Sequence, residues 1–173
     1  MPRKDPGPLR KNETLILRAA NKRYLKYRKR TDMKLKTILF EKKANRAVIT
    51  LDRPDVLNAI NGQVLDELET VLNDCNKDPE IRVILLQAAG GKAFCAGIDV
   101  EYVKDMSPLE SRNIGVRLHD VFYLCRTLSK VIFVVVNGLC LGAGLELAVS
   151  CDLIVATEKS KFGLPNINVG IPA

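Results

Sequence analysis

Apolar positions along this chain change their spacing several times, and each change marks an element. Residues 35–41 and 46–51 are strand-like on either side of the polar stretch 42–45. Two such segments flanking a polar turn predict a hairpin at the edge where the domain starts. Asn61 can then cap a helix in which Val64, Leu65, Leu68, Val71, Leu72 and Cys75 recur at helical spacing, with Asp66, Glu67, Glu69 and Asn73 facing outward. Residues 82–87 read as a strand, followed by a loop of small residues over 88–99. Ser107, Pro108 and Glu110 mark a helix start, with a capping hydroxyl, a proline at the first position and a glutamate placed to reach back. That helix is predicted to run to about Ser129 with Ile114, Leu118, Val121, Phe122, Cys125 and Leu128 inward. A buried strand at 131–136, a glycine-interrupted helix at about 143–150, a strand at 152–156 and the segment 162–173 complete the pattern. Strands alternating with helices predict an α/β fold with helices layered on sheet.

Composition fits a folded domain: 47% hydrophobic and 27% charged residues, 8 Pro and 11 Gly among 173 residues, which excludes a disordered chain or a fibrous repeat. The longest apolar run, at 131–136, is far short of the roughly 20 residues a membrane span needs. The net charge of +7 is unevenly placed. Residues 1–32 carry 11 Lys/Arg against 3 acids, and the remainder carries 16 against 17. The basic character is therefore a leader, 1–32, ahead of a nearly neutral core, 33–173. The leader lacks a secretory apolar segment; it reads as an organelle transit peptide, a disordered tail, or sequence upstream of a natural start at Met33. Five cysteines without CxxC spacing favour a reducing compartment, and the one histidine, His119, gives no metal-ligand pair and reads as a surface residue. Asp99 and Asp152 read as caps and turn formers.

Two stretches could carry chemistry, the loop 94–99 and the strand-turn-helix 135–146, because both set small residues after a buried strand where backbone N–H groups can approach a ligand. Reaction at a thioester needs two convergent N–H donors for the carbonyl oxygen as it becomes an enolate. Ile98 and Ala143 are placed to supply them, and Glu146, three residues beyond Ala143, returns to the same helix face as an acid or base. The alternative is structural: Gly142 and Gly144 for close helix-sheet packing, and Glu146 as a carboxylate favoured by the helix dipole. A GxG turn alone does not decide between them.

Five segments standing in order resemble the crotonase superfamily, the enoyl-CoA hydratase/isomerase family, across residues 35–173: Leu51 to Pro54 with Leu57 to Ile60, Lys92 to Asp99, Val136 to Leu147, Cys151 to Val155, and Phe162 to Pro165. The resemblance implies a crotonase-like spiral of ββα units binding coenzyme A thioesters. It implies that Ile98 and Ala143 form the oxyanion hole and that Ala59, Ile60, Ala96 and Gly97 line the coenzyme A channel. It further implies homotrimers or hexamers, with no cofactor beyond the coenzyme A of the substrate and no metal. Three departures stand out. Asn166 occupies the place of a second catalytic glutamate; an amide can hold a water but cannot exchange its proton at neutral pH. Ala143 stands where many members have glycine, which preserves the N–H. The chain stops at Ala173 where members continue, so the expectation is a C-terminally truncated core with an exposed apolar sheet face.

The expected function is addition of water to, or its removal from, a 2-enoyl-CoA, with Glu146 as the acid/base and Asn166 as a water or substrate positioner, in the cytoplasm or, if the leader is a transit peptide, an organelle matrix. Other reactions of the fold (isomerisation, decarboxylation, thioester hydrolysis), a non-catalytic remnant, and an RNA or anionic-surface binder acting through the leader are the alternatives.

Overall fold

β1 (Ile38–Lys43) and β2 (Arg46–Leu51) form the expected antiparallel hairpin, Ile38 opposite Leu51 and Lys43 opposite Arg46. Ala44, in the tight turn between them, takes a left-handed φ of 52°. The computed structural model describes residues 34–166, so the expectations for the leader 1–32 and for residues 167–173 lie outside the described residues. β1 starts later than the expected Leu35, because the N–H groups of Lys36 and Thr37 go to the Glu67 carboxylate instead of a ladder.

Glu67 is itself a correction. It lies on α1 (Gly62–Lys77), expected outward, yet only 7% of it is exposed. Its carboxylate accepts from Lys36 N, Thr37 N, Thr37 Oγ1 and Gln63 Nε2 at 2.7–3.1 Å. The buried acid is therefore fully partnered, and it ties the start of the described chain to the helix. The rest of α1 follows its pattern: Asn61 Oδ1 accepts from Val64 N at 3.0 Å, and all six expected apolar positions are buried.

β3 (Val83–Ala88), β5 (Val131–Val136) and β7 (Leu153–Ala156) add in parallel to the hairpin, giving a five-stranded sheet in the order β1-β2-β3-β5-β7. Three further strands lay inside stretches the sequence left irregular: β4 (Ala93–Cys95), β6 (Leu139–Leu141) and β8 (Lys161–Gly163). They form a second, wholly parallel sheet in the order β4-β6-β8. The helices beyond α1 are the single turn α2 (Val100–Val103), α3 (Pro108–Thr127) and α4 (Ala143–Val149). α3 carries the full capping box between Ser107 and Glu110, and ends when Leu128 turns extended at ψ 144°.

The chain thus passes from the large sheet to the small one and out to a helix, then repeats: β3, β4, α2 and α3; β5, β6 and α4; β7 and β8. That is a spiral of ββα units, the first being the hairpin with α1. The core lies beneath α1, where Leu65, Leu68, Leu72, Ile49, Ile84, Leu86, Ile132 and Val134 are each at most 2% exposed. Each such side chain contributes about 1.5–3 kcal/mol of transfer free energy. At the other end of the large sheet every residue of β7 is exposed, Leu153, Ile154 and Val155 by 39–54%. Among the described residues, no helix is long and apolar enough to cross a membrane.

Candidate active site

Where β2 ends, the chain makes a short 3-10 turn, Pro54–Val56, and Leu57 and Asn58 follow with left-handed φ of 54° and 56°. Asn58 holds that turn in place. Its amide donates to Ala89 O (3.0 Å) and Ala93 O (2.9 Å) and its Oδ1 accepts from Arg53 N (2.9 Å), leaving it 2% exposed. The backbone of 57–60 is thereby set beside the segment that follows β4. Ala96 N donates to Leu57 O, Ile60 N to Gly97 O (2.8 Å) and Asp99 N to Ile60 O (2.8 Å).

The two bonds around Ile60 decide where Ile98 points. In a parallel ladder, a residue whose neighbours before and after both bond the facing strand turns its own N–H and C=O to the other side. Ile98 is that residue. On the other side of this segment run β6 and the turn after it: a methyl added at Gly97 would lie 3.3 Å from Leu141 O and 3.7 Å from Ala143 N. Among the described residues the N–H groups of Ile98 and Ala143 have no acceptor. Gly142, at φ 50°, makes the turn into α4, and its N–H is held by Gly163 O of β8 at 2.9 Å.

Glu146 lies on the first turn of α4, half-buried, and Asn166, just past β8, reaches it: Asn166 Nδ2 donates to Glu146 Oε1 at 3.4 Å. A methyl at Gly142 would sit 2.7 Å from Asn166 Oδ1, so the amide packs directly over the turn. Ile98, Ala143 and Asn166 therefore follow the C-terminal ends of β4, β6 and β8 in turn. Three adjacent parallel strands deliver them to one edge of one sheet, which is where open α/β sheets place ligands. The geometry joins two unpaired N–H groups, one carboxylate and one amide, a set suited to holding an oxyanion while a proton moves beside it.

Cys95, at the base of this arrangement, is not a nucleophile. Burial pushes its thiol up to about 12, and the thiol is occupied by Gly97 N and O at 3.5 and 3.6 Å. His119 is exposed and stacks on Tyr123, as a surface histidine does. Of the residues expected to line a coenzyme A channel, Ala59, Ile60, Ala96 and Gly97 come together as facing backbone, though the Ile60 side chain is wholly buried. Asp99 caps α2 by accepting from Tyr102 N, and Asp152 accepts from Ile132 N. A small cleft of about 130 Å³ lies against the Pro54 turn, lined in part by Asn58, Gly90 and Lys92. No group of three or more His, Cys, Asp or Glu that could hold a metal occurs among the described residues.

The sequence signature described as enoyl-CoA hydratase/isomerase matches residues 41–173. The chain belongs to that family. A short-chain-enoyl-CoA hydratase of Clostridium acetobutylicum is 37% identical over 139 residues, covering 80% of this chain and 53% of its own. The human mitochondrial 3-hydroxyisobutyryl-CoA hydrolase is 32% identical over 151 residues, covering 86% of this chain and 39% of its own. The crystal structure of an enoyl-CoA hydratase from Bacillus anthracis superposes with a TM-score of 0.76 at 28% identity, over 79% of this chain and 53% of that one. The chain spans about half the length of the curated hydratases it matches. The crotonase-like spiral expected from the motifs is thus the fold of this family member.

Two residues of the site carried no assigned role in the sequence reading, Arg53 and Asn58. Both stand in the segments that signalled the family, but their function is to bond other loops, and the partners, up to 46 residues away, are invisible to spacing.

Proposed function

We propose that this chain binds acyl-CoA thioesters, stabilises their enolate, and adds water to or removes it from a 2-enoyl-CoA. The observation that carries this reading is the pair of unpaired N–H groups of Ile98 and Ala143 on one sheet edge with Glu146 beside them. Membership of the enoyl-CoA hydratase/isomerase family and the naming of relatives as hydratases support it.

In this reading Ala59, Ile60, Ala96 and Gly97 receive the coenzyme A portion, which arrives as part of the substrate. The thioester oxygen sits between the Ile98 and Ala143 N–H groups. Asn166 holds the water, and Glu146 takes its proton as the oxygen bonds to C3. The same carboxyl then returns that proton to C2 as the enolate collapses, so one carboxylate serves both steps and no net proton is left over. Asn166 contributes no proton. The assembly in this reading is the family's trimer or hexamer.

The test is exchange of α-protons for deuterium in a saturated acyl-CoA. The native chain is expected to catalyse exchange. Glu146→Gln is expected to lose it by about 100-fold or more while still binding coenzyme A. Loss of binding together with exchange would make Glu146 a structural residue, and no exchange by native chain that has bound the acyl-CoA would refute the reading.

A further inference from the structure

We infer that Arg53, acting through Asp99, is a positioning residue that aims the Ile98 N–H; the inference rests on the oxyanion reading above. Arg53 Nη1 donates to Ala59 O at 2.6 Å and its Nη2 to Asp99 Oδ2 at 2.9 Å. Ala59 precedes the residue that makes both ladder bonds to the 97–99 segment, and Asp99 follows Ile98 directly. The guanidinium thus closes a ring running from Arg53 to Ala59, through Ile60, across to Asp99 and back. Ile98 joins that ring directly through Asp99 and lies between the two ladder bonds to Ile60, so its N–H faces away from Ile60.

Both partners are largely shielded, with side chains 20% and 14% exposed, so the pair acts with limited competition from water. Two acceptors on different loops are engaged by one rigid planar fork, a geometry that a lysine ammonium on a flexible stem does not reproduce. Asp99 is fixed from the other side as well, because its Oδ1 and its C=O both accept from Tyr102 N at the start of α2. An error in the ring is transmitted to the direction of the Ile98 N–H. A donor misplaced by about 1 Å costs on the order of 100-fold in rate, because only the transition state demands the alignment.

The experiment uses the full chain with an aryl-conjugated enoyl-CoA, whose absorption moves to longer wavelength when its thioester carbonyl is polarised, alongside steady-state kinetics. Native chain and Glu146→Gln are expected to show the shift, since the carboxylate does not bind the carbonyl. Arg53→Lys is expected to lose most of it, with kcat reduced about tenfold to a hundredfold and KM unchanged. Asp99→Asn keeps an oxygen for the Tyr102 N–H but loses the charge, and is expected to behave as Arg53→Lys does; it reads the same ring if the arginine variant does not fold. Folded variants that keep both the shift and kcat overturn the inference and leave the proposed function standing. A rise in KM at constant kcat also overturns it, by showing that the ring shapes binding only. Absence of the shift in native chain overturns the oxyanion reading and the inference together.

Discussion

Cysteine burial gives this protein a pH dependence independent of its chemistry. Burial pushes the thiols of Cys75 and Cys95 up to about 12 and that of Cys140 to about 11, from an ordinary 9.0. Below pH 9 both folded and unfolded chains keep these protons, so the thiols leave stability flat. Above it the unfolded chain ionises and the folded chain does not, so stability falls by about 1.4 kcal/mol per pH unit for each thiol. Urea midpoints are expected to be level between pH 7 and 8.5 and to drop steeply from pH 9 toward the folded values, about 11 to 12. Cys95→Ala is expected to shallow that drop by one thiol's share, whatever its effect at neutral pH. The helical spacing of the sequence put Cys75 on the apolar face of α1, where it is buried. The same spacing misplaced Glu67, which is three residues after Val64 and four before Val71 and so borders the apolar stripe. Periodicity sees only that border; the donors that draw the carboxylate inward lie 30 residues away on Thr37.

At the scale of elements, α4 shows how closely the site depends on packing. A methyl at Gly144 would fall 2.5 Å from Cys95 O and 2.6 Å from Cys95 Cβ, distances that real side chains do not adopt. Gly144→Ala is therefore expected to lift α4 from β4, costing about 1–3 kcal/mol in a denaturant titration and lowering kcat as Ala143 moves. Gly115→Ala is the contrast: it lies on α3 with nothing within 4 Å of an added methyl, and is expected to gain up to about 1 kcal/mol. The longer elements were legible because each offers at least a full period of pattern and a cap with its own chemistry, Asn61 for α1 and Ser107 with Glu110 for α3. β4, β6 and β8 were not. Three residues are too few to display alternation, and glycine beside or within each reads as a turn. Ile98 and Ala143 were singled out in the sequence by motif; what hid was the small sheet that brings them to one edge.

At the scale of the whole molecule, the large sheet is asymmetric. Its β1 end is closed by the charged hairpin edge with Glu41, Lys42 and Lys43, whereas β7 presents Leu153, Ile154 and Val155 at an unpaired edge among the described residues. Such an edge templates association. Val155→Lys is expected to raise the concentration at which the chain remains a single species in sedimentation velocity, with little change in its unfolding midpoint. The spiral has a temporal meaning too. Ile98 comes from the second ββα unit, Ala143 and Glu146 from the third, and Asn166 from the fourth, and each unit lies against the one before it. A ribosome delivers these units in the same order, and folding that proceeds from the N-terminus lays them down as they emerge. In the proposed function, the second unit brings one oxyanion donor, the third the other donor and the base together, and the fourth the water holder. If the proposed function holds, competence is acquired in steps during synthesis, the parts that hold the thioester oxygen emerging before the part that steers a water.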